Sequence, residues 1–231
     1  MKIQQLFLYI LTIIVVSCST PANNEAFIKK TTGRYLFNSD EIIEVYFDNQ
    51  KLFLKWRGAS SIEPLSVGEE TFFVKEMNEK IQFLTNPENQ LTYMVLVPKT
   101  ESDTLQYNFR KLTQNEKIPS EYLKNNNFDK AMEGYLKIKK IDSLDSSLNE
   151  NNFNSLGYKE LRNKNHKEAL NIFKINMELY PASSNVYDSY ADALKVSGDT
   201  LEAIKYYKKS LAIDSGNRNA KRFVEKYDKK E

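Results

Sequence analysis

Few residues in this chain have the types and spacing that covalent or proton-transfer chemistry needs. His166 is the single histidine and Cys18 the single cysteine. A catalytic serine needs a base within reach, yet no Ser-x-x-Lys tetrapeptide and no Gly-x-Ser-x-Gly elbow occurs. No Cys/His/carboxylate grouping has metal-ligand spacing. The run from Asp214 to Asn219 has oxygen ligands in the style of a calcium loop, but it lacks the sixth-position glycine, so it reads as a turn. Glu69 and Glu70 lie in turn-like sequence and read as solvated. Trp56, on a candidate strand, could stack a ligand, but packing is its simpler use. His166 stands where a packing aromatic is expected. The chain therefore reads as a non-enzyme with no cofactor and no metal.

Charge excludes a further class. The 33 Lys and Arg nearly balance the 31 Asp and Glu, for a formal net charge of +2. A nucleic-acid footprint would need cations clustered on one face. With 41% hydrophobic and 28% charged residues, and 14 Tyr and 13 Phe against 7 Gly and 6 Pro, the composition is that of packed elements and not of disorder.

What remains is binding chemistry, and it is arrayed on a repeat. Gly157 is matched by Ala191, Ala169 by Ala203, Phe173 by Tyr207 and Pro181 by Ser215, each 34 residues on. A period of that length marks stacked helical hairpins. Small residues let paired helices approach, and Phe173 and Tyr207 lie one turn beyond Ala169 and Ala203, on the same face. Pro181 stops a helix. The pattern Phe153, Leu156, Gly157, Ala169, Phe173, Pro181, then Tyr187, Tyr190, Ala191, Leu194, Ala203, Tyr207, resembles tetratricopeptide repeats. The first copy departs from it: Glu160 fills the tyrosine slot, and Asn163-Lys164-Asn165-His166 lacks the turn glycine that the second copy keeps as Gly198.

The resemblance implies a concave groove lined by the first helix of each repeat. Its slots would carry Asn151, Asn154, Tyr158, Leu161 and Arg162, then Asn185, Asp188, Asp192, Lys195 and Val196. That set is mostly polar and mixed in sign, with Tyr158 as an aromatic anchor. It would suit an extended peptide or a partner helix.

Upstream, Phe128-Asp129-Lys130-Ala131 and Tyr135 repeat the Ala-x3-aromatic signature of a second helix, 38 residues before Ala169. Residues 113–149 are thus expected to hold a degenerate first repeat, with a short helix from Ser120 and a polar insert at residues 142–149. Residues 150–217 form two full repeats. Residues 218–231 form a capping helix, with Phe223 and Tyr227 on its inner face. Terminal repeats are atypical in such arrays.

Between residues 31 and 112 the period changes to two. Expected strands cover residues 41–47, 51–56, 71–75, 80–84, 91–97 and 105–109, at a spacing of roughly ten residues. About seven or eight antiparallel strands in such a length suit a meander or small open barrel. Thr32-Gly33-Arg34-Tyr35, Lys51-Leu52, Trp56-Arg57-Gly58, Pro64-Leu65 and Phe72-Phe73 resemble a small β domain of unknown function found beside penicillin-binding-protein-like serine hydrolases. The catalytic partner's Ser-x-x-Lys is missing here, so the chain looks like accessory modules alone.

The N-terminus carries Lys2 and an apolar run from Leu6 to Val16, too short to span a bilayer comfortably. It ends at Val15-Val16-Ser17-Cys18, which resembles the lipobox of bacterial lipoproteins. The resemblance implies cleavage after residue 17 and acylation of Cys18, as with palmitate. Residues 18–30 then read as a polar tether.

The expected fold is α+β in two domains: a small antiparallel β domain followed by tetratricopeptide hairpins with a cap. The expected function is that of a lipid-anchored lipoprotein of the bacterial cell envelope, facing the periplasm. It would bind an unknown protein or peptide partner and no nucleic acid. Two alternatives stay open. One is a lipocalin-like small-ligand binder, with Gln82 and Asn108 converging on a cavity. The other is an accessory subunit of a separate serine hydrolase.

Overall fold

The computed structural model of the chain describes residues 23–228. Cys18, the signal segment and the expected tether up to residue 22 lie outside the described residues. The chain divides into two compact units, one of residues up to Tyr35 with Ile43–Lys111, the other of Leu36–Ile42 with Leu112 onward.

The first unit begins with a helix where a tether was expected. α1 spans Glu25–Thr31. Asn24 caps it, its side-chain oxygen accepting the Phe27 N–H at 2.8 Å, while Glu25 opens the helix and Lys29 and Lys30 close it, as the macrodipole favours. The Lys111 ammonium donates to the Lys30 carbonyl at 2.7 Å, satisfying an otherwise orphaned group of the last turn. Phe27 and Thr31, four residues apart, form the buried face. The Phe27 ring lies within about 6 Å of Phe47, Phe72 and Phe83. The helix therefore belongs to the β unit as part of its core.

Nine strands follow in chain order: β1 Gly33–Asn38, β2 Glu41–Asp48, β3 Lys51–Trp56, β4 Ala59–Ile62, β5 Leu65–Gly68, β6 Thr71–Val74, β7 Glu79–Thr85, β8 Thr92–Leu96 and β9 Phe109–Arg110. They form a four-stranded sheet, β1 to β4, and a five-stranded sheet, β5 to β9, each with sequential neighbours. An antiparallel bridge between Tyr35 and Lys111 links β1 to the end of β9. β4 and β5 stand at the other edges of the two sheets, so the meander curls round without closing there. Alternation along β3, with Leu52, Leu54 and Trp56 buried, packs one face inward.

Two differences from the sequence reading have physical reasons. β4 and β5 are four-residue strands separated by Glu63-Pro64, and β5 is exposed throughout, so neither shows a buried alternation. The strand expected at residues 105–109 shrinks to Phe109–Arg110. The chain before it is held instead by a turn, in which Asp103 accepts the N–H groups of Lys99 and Thr100.

The second unit is helical: α2 Pro119–Lys124, α3 Phe128–Ile141, α4 Glu150–Arg162, α5 His166–Leu179, α6 Ser184–Val196, α7 Thr200–Ile213 and α8 Arg218–Asp228. α4 with α5 and α6 with α7 form hairpins joined by three-residue turns, and α8 packs on α7. α2 has only six residues, where α4 and α6 have 13 each. Ala169 and Ala203 are fully buried at helix contacts. A Cβ on Gly157 would sit 2.5 Å from a ring carbon of Phe173, so only glycine lets α4 and α5 meet there. Residues 36–42 join this unit through Asp40. Its carboxylate accepts the Ser120 N–H at 2.7 Å and the Tyr135 hydroxyl at 2.8 Å.

The two hairpin turns solve one problem differently. Gly198 takes a left-handed φ of 90°, and Lys164, 34 residues earlier, takes φ 64°. The missing glycine thus leaves a strained lysine, not a different turn.

Candidate functional site

The side chains expected to line a groove come from α4 and α6, which start 34 residues apart and contact each other. α4 is set by Asn149, whose side chain caps the Asn152 N–H at 3.0 Å. α6 is tied to α4 by Glu150, whose carboxylate accepts Ser183 and Asn185, each at 2.9 Å. α8 begins another 34 residues on and continues the row with Asn219, Arg222 and Lys226.

A polar network occupies the middle of this face. Tyr158 donates its hydroxyl to one oxygen of Asp192 at 3.0 Å. Tyr207 donates to the other oxygen at 2.5 Å. Lys195 pairs with Asp192 and also donates to the Tyr207 oxygen at 2.9 Å. One turn earlier, Asp188 accepts the Asn217 amide at 2.6 Å. The Tyr158 ring meets Phe173 edge-on, with centroids 5.1 Å apart.

Environment pushes the two acids in opposite directions. Burial would raise the Asp192 carboxyl, but the hydrogen bonds from Lys195, Tyr207 and Tyr158 bring it below its ordinary value. Asp188 is raised, by burial first, against the Asn217 hydrogen bond and with the Asp192 charge adding to it. Burial raises the Tyr158 and Tyr207 hydroxyls, so both remain protonated donors.

Each expected residue now has a place. Asn151 and Arg162 are exposed on α4. Asn154 is partly buried, and its side-chain oxygen has no hydrogen-bond partner among the described residues. Tyr158 is a half-buried member of the network, not a free anchor. Leu161 belongs to the core with Ala169, Phe173 and Ala193. Asn185 is tied to Glu150, and Val196 is half-exposed. Tyr207 and Asn217 had not been expected at the site. Tyr207 falls in the buried-aromatic slot of Phe173, and its hydroxyl was the readable difference. Asn217 lies in the turn ahead of α8.

Other candidates resolve without chemistry. His166 is the first residue of α5 and partly buried. Asp214 accepts the Gly216 N–H at 2.9 Å, a local turn. Trp56 is 8% exposed, with Arg57 over its ring at 4.5 Å, so it offers no open stacking platform. Among the described residues no group of three or more His, Cys, Asp or Glu could hold a metal. The lipocalin-like alternative meets a filled interior, where Ile43, Leu54, Val74, Ile81, Met94 and Val95 are completely or nearly buried. Gln82 bonds Thr71 at 2.8 Å, and Asn108 accepts the Leu96 N–H at 2.9 Å in an exposed position, so the two do not converge. Glu69, Glu70, Gln82, Phe83 and Leu84 line a shallow depression of about 280 Å³.

No protein-family model and no curated protein matches the sequence. Solved structures do. The first tetratricopeptide domain of human RPAP3 is 20% identical, over 48% of this chain and 84% of that one, with a TM-score of 0.34. The Sgt2 tetratricopeptide domain from Aspergillus fumigatus is 16% identical, over 48% of this chain and 73% of that one, with a TM-score of 0.34. MamA is 19% identical, over 47% of this chain and 61% of that one, with a TM-score of 0.31. The 34-residue period and the helix contacts described above identify the tetratricopeptide-like hairpins in this chain on their own.

Proposed function

We propose that this chain is a non-catalytic, lipid-anchored lipoprotein of the bacterial cell envelope. It acts as an adaptor that binds a protein or peptide partner across the α4–α6–α8 face. The observation that carries the reading is the spacing of those helices. Equivalent slots recur every 34 residues, and they present side chains such as Asn151, Arg162 and Arg222 that helix packing does not use. A partner segment laid across the row would meet the same geometry three times. The absence of a Ser-x-x-Lys nucleophile in the sequence fits an adaptor better than a hydrolase.

The anchor reading comes from Cys18 and the apolar run before it. Acyl chains add about 0.8 kcal/mol per buried CH₂, so two or three would hold the protein on a bilayer. The narrower reading, an accessory subunit of a separate serine hydrolase, rests on the resemblance of the β unit.

Two measurements test the proposal. Cys18→Ser should move the protein from the membrane to the soluble fraction and abolish palmitate incorporation. Capture of partners from solubilised envelopes should fall in the Asn151→Ala/Arg162→Ala variant, whose changes spare the polar network. An unchanged set of captured proteins would place the binding surface elsewhere. Turnover of an ester or β-lactam reporter by pure protein would overturn the non-catalytic assignment.

A further inference from the structure

The β unit leaves one sheet edge both open and apolar. The Tyr35–Lys111 bridge joins β1 to the end of β9, so the free edges are β4 and β5. β4 shows solvent only Ala59, Ser60 and Ser61. β5 differs. All four of its residues are exposed, among them Leu65 at 51% and Val67 at 48%. Its register on β6 sets Ser66 opposite the buried Phe72 and Leu65 opposite the half-buried Phe73, so Leu65 extends an apolar row on the outer face. Lys80 faces Phe73 from the other side, on β7. Every second residue of an antiparallel strand turns its N–H and C=O away from its neighbour, and no strand stands on that side of β5 among the described residues. Acids flank the strand. Glu63 precedes it and pairs with Lys51 at 3.2 Å, both side chains well exposed. Glu69 and Glu70 follow it, with no ion pair among the described residues. They border the depression of about 280 Å³ that continues over Gln82, Phe83 and Leu84.

We propose that β5 accepts an extended strand from a partner polypeptide, apolar at alternate positions and carrying Lys or Arg at its ends. The proposal concerns the β unit alone and does not depend on the helical face. Main-chain bonds to β5 supply the affinity common to any added strand, and side chains seated beside Leu65, Val67 and Phe73 supply the preference for apolar residues. A basic side chain lays its stem along the depression and brings its charge to Glu69 and Glu70. The same acids reject the other obvious occupant. A second copy of β5 laid antiparallel would set Glu63 of one copy against Glu69 or Glu70 of the other, at both ends. Like charges directly opposite oppose pairing, so the edge is closed to its own copy and open to a basic-ended strand. The strand is short and its register shifts after Ser66, which limits the ladder to a few bonds. Side chains and charge therefore decide which strand binds.

The test uses the full chain in detergent and three labelled octapeptides. In the first, valine and threonine alternate between terminal lysines. The second ends in glutamates instead. The third keeps the lysines but has prolines at its centre, which cannot donate to a ladder. Binding is read by anisotropy at about 50 and about 300 mM salt. The lysine-ended peptide alone should bind, more weakly at the higher salt, and it should slow amide hydrogen exchange in Leu65–Gly68. Leu65→Ser and Val67→Ser should each weaken it roughly three- to ten-fold. Glu69→Gln/Glu70→Gln should weaken it roughly two- to five-fold, with a shallower salt dependence. Glu88→Gln and Leu144→Ser, which change an exposed acid and an exposed apolar residue elsewhere, should leave it unchanged. Circular dichroism would confirm that each variant folds. Equal binding of the glutamate-ended or proline-containing peptide would overturn the proposal, as would equal losses in the Glu88 and Leu144 variants. So would binding that leaves exchange in β5 unaltered, or no binding by any peptide. A dimer of the full chain in sedimentation, dissolved by Leu65→Ser/Val67→Ser, would give the edge to a second copy and overturn it too.

Discussion

Tyr158 and Asp192 occupy the same slot in consecutive repeats, 34 residues apart, and bond to each other at 3.0 Å. The repeat itself creates the contact, because stacking places equivalent positions of α4 and α6 side by side. Two residues expected to greet a partner are instead spent on one another. They join the two repeats beneath the exposed cations.

Asp192→Asn should therefore be costly. It leaves Lys195 without its counter-charge and turns an acceptor of both tyrosine hydroxyls into a group with one acceptor. A loss of about 1–3 kcal/mol in urea unfolding is expected. Because the folded-state pKa of Asp192 is depressed, its contribution is present above the unfolded value of about 3.9 and is lost as pH falls through the folded value. The variant should show a flatter stability profile on the acid side than the wild type.

Asp188 should behave in the opposite sense. Its folded-state pKa is raised, so its ionisation works against folding and its contribution is lost as pH rises through the folded value. Asp188→Asn keeps an acceptor for Asn217 and removes the buried charge. Its unfolding midpoint should rise at pH 7 and converge on the wild type in acid. A drop at neutral pH would refute this account of the site.

Lys164 pays a left-handed backbone that Gly198 takes without strain. Lys164→Gly should stabilise the protein by about 1 kcal/mol, read as a higher thermal midpoint. Gly198→Lys should lower it by a similar amount.

Gly157→Ala should destabilise by about 1–3 kcal/mol, because its methyl would overlap the Phe173 ring. Ala191→Gly, at the matching position, should cost only about 1 kcal/mol through helix propensity. Calorimetry of the pair would separate close packing from propensity.

Phe27→Ala should cost about 3–5 kcal/mol in the β unit, since it removes a ring that touches three other phenylalanines. Little change would mean that α1 is not part of that core.

The helical unit was the more legible half. Ala169, Ala203, Phe173 and Tyr207 have small and aromatic side chains at fixed offsets, and such residues admit few alternatives to close helix packing. The β unit was readable where strands alternate, as in β3 and β7. It was unreadable at β4 and β5, where four residues carry no period. α1 was missed because Asn24-Glu25-Ala26 resembles a linker by composition. Its signals were local: a capping asparagine, Glu25 first, Lys29 and Lys30 last, and Phe27 four residues from Thr31. In the groove, residue types were visible, but the bonds that occupy Asp188 and Asp192 were not. Those bonds depend on Asn217 and Tyr207, which lie in other elements.

The helix at Asn24 also fixes a distance. Only residues 19–23 separate Cys18 from that cap, and the six residue steps between them at full stretch reach no more than about 22 Å. An acylated Cys18 would then hold the β unit on a short leash, within a few headgroup widths of the bilayer surface. Lengthening that leash by a dozen flexible residues would change what the protein can reach without altering a single contact inside it.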